Sequence, residues 1–300
     1  MKLFSPAKIN LFLAVTGRRP DGYHSLLSLV APLAFGDDLE IVECSGESDQ
    51  LRCDQPGIPL DGSNLILKAA NSFRRKSGLD RHFEFTLTKR IPSGGGFGGG
   101  SSNAVCALRG MNQLCGNPLS ADDLFEVAEE LGSDCPLFLV DGPVVMRGRG
   151  EKLQPAPELA DFLQERRVHL FNPGFFSSTV DLFRKMAERG KYTASDFAEK
   201  QLEDLMRSIQ KGDFGWTMRN DLGKLLATKY LFYDTLFALL RKIGLSECAV
   251  TGSGSGAFVL SRRESDRKKM ADLCDQLLDG EGFMIETRFL GNKDRLVTQP

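Results

Sequence analysis

The sequence predicts an α+β fold in two domains, residues 1–154 and 155–300, and three observations carry that reading. The first half sets strand candidates beside segments of helical periodicity. Gln154-Pro155-Ala156-Pro157-Glu158 then breaks the pattern with two prolines, which continue neither a ladder nor a helix. The second half mixes strands and helices again, without an internal repeat. With 300 residues and 41% hydrophobic content, the chain is long enough to build two cores.

In chain order, Ile9 to Val15 and Leu39 to Glu43 read as strands separated by Gly and Pro punctuation. A helix is expected from Leu65 to Lys76, and a strand around Phe83, Phe85 and Leu87, which alternate. A helix starting at Ser101 or Ser102 carries Ala104, Leu108 and Met111 on one face. The next starts at Ser120, where Asp123 completes a capping box ahead of Leu124, Val127, Ala128 and Leu131, and Gly132 closes it. Beyond the prolines, Val168 to Phe171 is a strand, followed by helices at 179–188, 196–211, 217–227 and 231–243, the last ended by Gly244. Cys248 to Thr251 and Ala257 to Leu260 are short strands. A helix with Met270, Leu273, Cys274 and Leu277 on one face and a strand from Met284 to Phe289 complete the chain.

The 38 basic and 40 acidic residues are interspersed and leave a net charge of −2, so no overall field draws the protein to nucleic acid or an anionic membrane. Arg262-Arg263 and Lys268-Lys269 read as solvated helix faces. The seven cysteines are scattered and lack a CxxC pair, which argues against a disulfide framework and a zinc site. No apolar run approaches a membrane span, and Lys8 and Asn10 interrupt the N-terminal apolar stretch. A cytoplasmic protein without nucleic-acid or membrane partners is expected, as a monomer or weak homodimer; a removed transit peptide stays open.

Four clusters carry chemistry. The run Pro92-Ser93-Gly94-Gly95-Gly96-Phe97-Gly98-Gly99-Gly100-Ser101-Ser102 joins a strand to a helix. Consecutive glycines let several N–H groups point into one concavity, and the helix start adds its positive end, which together suit a phosphate group. A flexible linker would have polar low-complexity flanks instead. No Lys-Ser/Thr follows the last glycine, so the loop is not a Walker A motif. In Ser5-Pro6-Ala7-Lys8-Ile9-Asn10-Leu11, strand alternation puts Lys8 and Asn10 on one face, either as site residues or as a solvent-facing edge. Gly132-Ser133-Asp134-Cys135-Pro136 fixes Asp134 in a tight segment after a helix, as a functional carboxylate or an ordinary turn residue. Thr251-Gly252-Ser253-Gly254-Ser255-Gly256 is a second glycine loop or a hairpin turn.

Together these clusters resemble the GHMP kinase superfamily, which binds ATP through a glycine-rich loop unrelated to Walker A. SPAKINLFL, Arg18-Arg19-Pro20-Asp21-Gly22-Tyr23-His24, PSGGGFGGGSSNA and GSDCP resemble more closely the kinase family acting on 4-diphosphocytidyl-2-C-methyl-D-erythritol, in order and spacing over about residues 3–260. The resemblance implies a ribosomal-protein S5 domain 2-like N-terminal half and a ferredoxin-like C-terminal half. It implies transfer of the ATP γ-phosphoryl group, with Mg²⁺, to the 2-hydroxyl of that substrate in the non-mevalonate route to isoprenoids. Asp134 then matches the general base and Lys8 the catalytic lysine. Asn10, Tyr23, His24, Thr179, Phe183 and Gly254 match substrate contacts, with Tyr23 and Phe183 sandwiching the cytosine and His24 reading its edge. Asn64, Leu65 and Lys89 approach the nucleotide, Pro92 to Ser102 cradle its phosphates, and Ser101 or Ser102 reaches the Mg²⁺. Cys135, Phe175-Phe176-Ser177-Ser178 and an extra glycine in the second loop depart from the family pattern. Other readings are a kinase of the same superfamily acting on mevalonate derivatives, homoserine or a sugar, and a non-catalytic nucleotide- or RNA-binding protein.

Overall fold

Two long antiparallel strands, β1 (Lys2–Arg18) and β2 (His24–Cys44), organise the first sheet. Residues 7–15 of β1 are all buried, so the strand is covered on both faces and reads as a nearly continuous apolar run. Both strands extend far beyond the expected Ile9–Val15 and Leu39–Glu43. Pro6, Gly17, Pro32 and Gly36 punctuate the sequence without ending the strands, because the pairing absorbs register shifts at Pro6/Lys8, Asn10/Phe12 and Val15/Gly17. The computed structural model describes residues 1–291 except Phe214, Thr217, 263–265 and 279–281. Arg263 and the side chain of Cys274, both used in the sequence reading, lie outside the described residues, as does Thr217.

β2 is long enough to pair twice along one edge: its later residues take β4 (His82–Thr88) and its earlier ones β5 (Val144–Gly148). β3 (Gln50–Cys53) and β6 (Lys152–Pro155) extend these, and among the described residues they belong to a seven-stranded sheet. The helices α1 (Leu65–Ser77), α2 (Gly99–Leu114) and α3 (Ala121–Leu131) belong to this half. Phe73, Leu108 and Met111 from α1 and α2 meet Ile41, Phe83 and Phe85 of the sheet in one core. At α3 the expected capping box forms, with Asp123 N–H donating to Ser120 Oγ at 3.1 Å and Ser120 N–H to Asp123 Oδ2 at 3.0 Å. The Ser120 hydroxyl, with Lys76, pulls the Asp123 carboxyl down to about 2.

The second half contains α4 (Ala160–Gln164), β7 (Arg167–Asn172), α5 (Thr179–Arg189) and α6 (Ser195–Gln210). It continues with β8 (Arg219–Asn220), α7 (Asp221–Ala227), α8 (Leu231–Lys242), β9 (Cys248–Val250), β10 (Ala257–Ser261), α9 (Asp266–Leu278) and β11 (Phe283–Arg288). Its four-stranded antiparallel sheet has the order β11-β7-β10-β9, with the first and third strands central, a ferredoxin-like arrangement. Arg262 follows β10 and donates to the Gly212 carbonyl at 2.9 Å, so it lies on no helix face, whereas Lys268 and Lys269 are exposed on α9.

The expected helix at 217–227 is split. Asn220 is extended (φ −143°, ψ 107°) and its side chain caps α7 by accepting from Gly223 N–H at 2.8 Å. Asn220 itself and Arg219 before it form β8, which pairs parallel with β1 through Phe12 and Leu13. The second half thereby lends a strand to the first sheet, and β1 runs between β2 and β8. A shared core joins the halves, with Ile9, Leu11 and Leu29 packed among Leu163, Leu170, Leu202 and Phe258. No helix among the described residues is long and apolar enough to cross a membrane.

Candidate active site

Lys8 is 2% exposed, and an ammonium so buried needs partners. Its Nζ donates to Asn10 Oδ1 at 2.8 Å and lies 3.5 Å from Asp134 Oδ2. Alternation on β1 does put Lys8 and Asn10 side by side, and Ile9 and Leu11 are fully buried on the opposite side. Asp134 follows α3 in a turn closed by the Cys135 N–H to Gly132 carbonyl bond (3.0 Å), and Pro136 opens a 3₁₀ turn beyond it. The carboxylate side chain is 44% exposed, so it reaches the open space in front of Lys8. Burial pushes the neighbouring Cys135 thiol up to about 12, which makes it a packing group and not a nucleophile.

The first glycine loop is clamped beside this pair. Phe97 is buried and its carbonyl accepts from Lys8 N–H at 2.9 Å. Gly98 is the N-cap of α2 at φ +75°, a left-handed conformation that glycine adopts without a Cβ clash. The helix starts at Gly99, two residues before the earliest expected start, because its glycines continue the helical path. Ser102 N–H is the donor that returns to the Gly98 carbonyl (2.9 Å), so the first-turn N–H groups of Gly99, Gly100 and Ser101 have no intrahelical acceptor. That is an anion site in form.

The second loop is tied to the first and to β1. Gly252 N–H donates to Asn10 Oδ1 at 2.9 Å, and Asn10 N–H to Thr251 Oγ1 at 3.1 Å. Gly256 N–H donates to the Gly95 carbonyl at 3.0 Å and Ser255 N–H to that of Gly94 at 3.3 Å. Asn10 is therefore a junction: its amide NH₂ also donates to Ser28 Oγ at 2.9 Å, and Ser28 donates to the Phe12 carbonyl at 2.6 Å.

On the far side of the first loop, Asp37 is fully buried and accepts from Arg90 N–H and Ile91 N–H, each at 2.7 Å. Its other oxygen accepts from Asn103 Nδ2 at 2.9 Å and pairs with Lys89 Nζ. Asn103 also donates to Ser5 Oγ, which donates to Ser102 Oγ, each at 2.8 Å. One carboxylate thus holds the segment entering the loop and the helix leaving it. Asp37→Asn should lower stability by about 3–5 kcal/mol, as expected when one partner of a buried ion pair is removed. Urea unfolding measures this, and a loss below about 1 kcal/mol would show that the network is not what anchors the loop.

At the opposite end stand aromatic rings. His24 is buried and stacks on Phe183 with centroids 4.9 Å apart and an interplanar angle of 24°. Tyr192 lies 5.8 Å away. Burial, aided by the positive charge of Arg18, lowers the His24 pKa, so the imidazole stays neutral near pH 7 and keeps one donor and one acceptor nitrogen. Tyr23 is 52% exposed, with the Arg149 guanidinium 5.3 Å from its ring centroid.

A cavity of about 1220 Å³ connects these parts. Lys8, Asn10 and Asp134 line it together with residues of both glycine loops and with Tyr23, His24 and Phe183. The "GHMP kinases N terminal domain" family model matches residues 64–142, the stretch that carries α1, the first glycine loop and Asp134. A protein of Desulfotalea psychrophila named 4-diphosphocytidyl-2-C-methyl-D-erythritol kinase is 34% identical over 276 residues, 91% of this chain and 89% of that one. The chain belongs to the 4-diphosphocytidyl-2-C-methyl-D-erythritol kinase family. The chloroplastic member from Arabidopsis thaliana is 40% identical over 187 residues, and the Protochlamydia amoebophila member 42% over 186. Those matches span only 48% and 62% of the two relatives' own length. Among solved structures, a 4-(cytidine 5′-diphospho)-2C-methyl-D-erythritol kinase superposes with a TM-score of 0.77 at 27% identity, covering 96% of this chain and 99% of that one. A homoserine kinase from Cytophaga hutchinsonii superposes at 0.76 with 17% identity and 96% and 94% coverage, a likeness of fold alone.

Of the residues that the diphosphocytidyl-methylerythritol kinase resemblance singled out, the cavity brings together Lys8, Asn10, Tyr23, His24, Asn64, Leu65, Lys89, Asp134, Thr179 and Phe183. Pro92, Ser93, Gly94, Gly96 to Gly100 and Ser101 line it as well. Three residues lie off its wall. Gly95 is buried under the loop with its carbonyl bonded to Gly256, and the Ser102 hydroxyl is taken by Ser5. Gly254 points inward, where a Cβ would come within 2.4 Å of Leu226, while Gly252 and Ser253 face the cavity instead. Phe183 lies face to face with His24, and Tyr23 lines the cavity with them. Sequence reasoning gave no role to Asp37, Asn103, Ser28 or Thr251. The adjacent Asp37-Asp38 pair after Gly36 was the one signal for the first.

Proposed function

We propose that this protein transfers the γ-phosphoryl group of ATP to the 2-hydroxyl of 4-diphosphocytidyl-2-C-methyl-D-erythritol, a step in non-mevalonate isoprenoid biosynthesis. The observation that carries the reading is the Lys8–Asp134 pair at 3.5 Å, lining the same cavity as an N–H-rich helix start and an aromatic base-binding end. Phosphoryl transfer through a loose transition state asks chiefly for positioning and charge neutralisation. The free N–H groups of Gly99, Gly100 and Ser101 hold phosphate oxygens. Asp134 orients the acceptor hydroxyl and takes its proton, and Lys8, fixed by Asn10, steadies the developing alkoxide.

The donor set suits Mg²⁺, which takes one or two protein oxygens and completes its shell with phosphate oxygens and water. Ser101 and Asp134 line the cavity, while Ser102 is committed to Ser5, so Ser101 is the serine available to the ion. When bound, Mg²⁺ would neutralise charge on the transferring phosphate.

The flat aromatic end favours a nucleobase over the small polyols and acids taken by other kinases of this fold. A coupled assay with ATP and mevalonate, homoserine, galactose or the diphosphocytidyl alcohol should give turnover with the last alone. The cytidine-linked alcohol should outperform its uridine counterpart, because uracil reverses the donor and acceptor at the 4-position, at about 1–3 kcal/mol for each group left unpaired. Tyr23→Ala should raise the KM for that alcohol and leave the KM for ATP nearly unchanged, stacking being worth roughly 1–3 kcal/mol per base. Equal turnover of the two alcohols, or a Tyr23→Ala effect confined to ATP, would remove the basis for this substrate.

A further inference from the structure

One large apolar side chain on the cavity wall has no part in the phosphate, acid–base or base-binding groups above. Phe176 is 72% exposed, and its ring lies on the first glycine loop: a Cβ built on Gly94 would come within 2.7 Å of Cδ2 and 2.8 Å of Cε2. Both residues line the cavity.

The chain is tied down on either side of that ring. Phe175 stacks on Tyr230 with centroids 4.2 Å apart and meets Tyr233 edge-on at 6.1 Å. Tyr233 in turn donates to the Ser255 carbonyl of the second glycine loop at 2.8 Å. Ser177 Oγ donates to the Ser253 carbonyl at 3.0 Å, and Thr179 Oγ1 lies 2.6 Å from Ser253 Oγ. The second half of the chain therefore holds Phe176 as a bridge whose ends rest on the second loop and whose ring rests on the first. Held in water in this way, the ring adds little to the stability of the fold.

We infer that Phe176 is a water-excluding cover for the phosphoryl group held by the first glycine loop and sets the ratio of transfer to hydrolysis. The inference rests on the ATP-site reading above. Both reactions break the bond between the γ-phosphorus and the ADP oxygen. In transfer the acceptor hydroxyl oxygen forms the new P–O bond and its proton passes to Asp134. In hydrolysis a water oxygen forms that bond, the proton is released, and the products are ADP and inorganic phosphate. A Lys8–Asp134 pair whose carboxylate is 44% exposed can activate either nucleophile, so selectivity has to come from keeping water out. An apolar ring beside Gly94 on the cavity wall offers water no hydrogen bond on that side of the loop.

The test compares the wild type with Phe176→Ala and Phe176→Leu. ADP and phosphorylated acceptor are measured in parallel. Deuterium uptake of residues 92–100 is followed separately with a non-hydrolysable ATP analogue. Phe176→Ala should raise ADP formed per acceptor phosphorylated by about tenfold with the KM for ATP within about twofold, and Phe176→Leu should restore most of the coupling. With the analogue bound, the loop amides should exchange faster in Phe176→Ala than in the wild type, at an unchanged melting temperature. An unchanged coupling ratio in Phe176→Ala, or a raised KM for ATP in its place, overturns the inference. If the wild type phosphorylates no diphosphocytidyl alcohol, the proposed function fails instead. The exchange comparison still decides the cover in that case, and equal protection in the two proteins overturns it.

Discussion

Asp134→Asn should fold, bind ATP with wild-type affinity and turn over at roughly 10⁻² to 10⁻⁴ of the parent rate, the usual span of a general-base contribution. The amide keeps the shape of the carboxylate and removes the proposed proton acceptor. The side chain is 44% exposed, and in the variant the buried Lys8 keeps its bond to Asn10 Oδ1 and can meet the amide oxygen in place of the carboxylate, so the fold is retained. Steady-state kinetics with calorimetric ATP titration separates the alternatives. Turnover within a few-fold of wild type would reduce Asp134 to a turn residue, and lost ATP affinity would make it a nucleotide or metal anchor.

Gly96→Val should abolish ATP binding altogether. Gly96 has φ +76°, and a Cβ there would lie 2.2 Å from the Thr251 carbonyl oxygen and 3.1 Å from that of Gly254. Backbone meets backbone at this contact, so no side chain can swing aside. A β-branched residue adds its own resistance to positive φ, about 1–3 kcal/mol of strain. The loops must then part, and with them the contacts that hold Asn10 and Lys8. Circular dichroism shows whether the protein is folded, and calorimetry should find ATP affinity down by at least roughly a hundredfold. Wild-type affinity in a folded variant would mean that the apposition of the loops is dispensable for the nucleotide.

What could be read in the sequence was local. Glycine density, the Lys8/Asn10 alternation and the Ser120/Asp123 cap each depend on neighbours within a few residues, and each has its counterpart in the fold. Helix faces such as Leu236 and Leu240 were visible for the same reason. The unread parts depend on distant partners or on pairing. The Asp37-Asp38 pair marks an unusual position without saying that Asp37 will meet Arg90, Ile91 and Asn103, and nothing near Arg219 announces a strand beside Phe12. Pro32 and Gly36 looked like strand ends because the bulges that accommodate such residues belong to pairs of strands and not to either one. In the site, the same limit hid Thr251: its role exists only because Asn10 arrives 241 residues earlier.

That separation also fixes when the site can exist during synthesis. Lys8 is synthesised long before Thr251 and Gly252, from which Asn10, the holder of its Nζ, takes part of its own support, and β1 gains its second neighbour only at Arg219 and Asn220. Translation at about 5–20 residues per second leaves the long strand β1 waiting for roughly ten seconds or more before its last partners emerge. Through that interval the buried lysine lacks its finished setting, and one flank of an apolar strand is open to other chains. The nascent chain therefore carries a vulnerable edge until Arg219 and Asn220 emerge, and the two glycine loops close against each other only once residues 251–256 have been made.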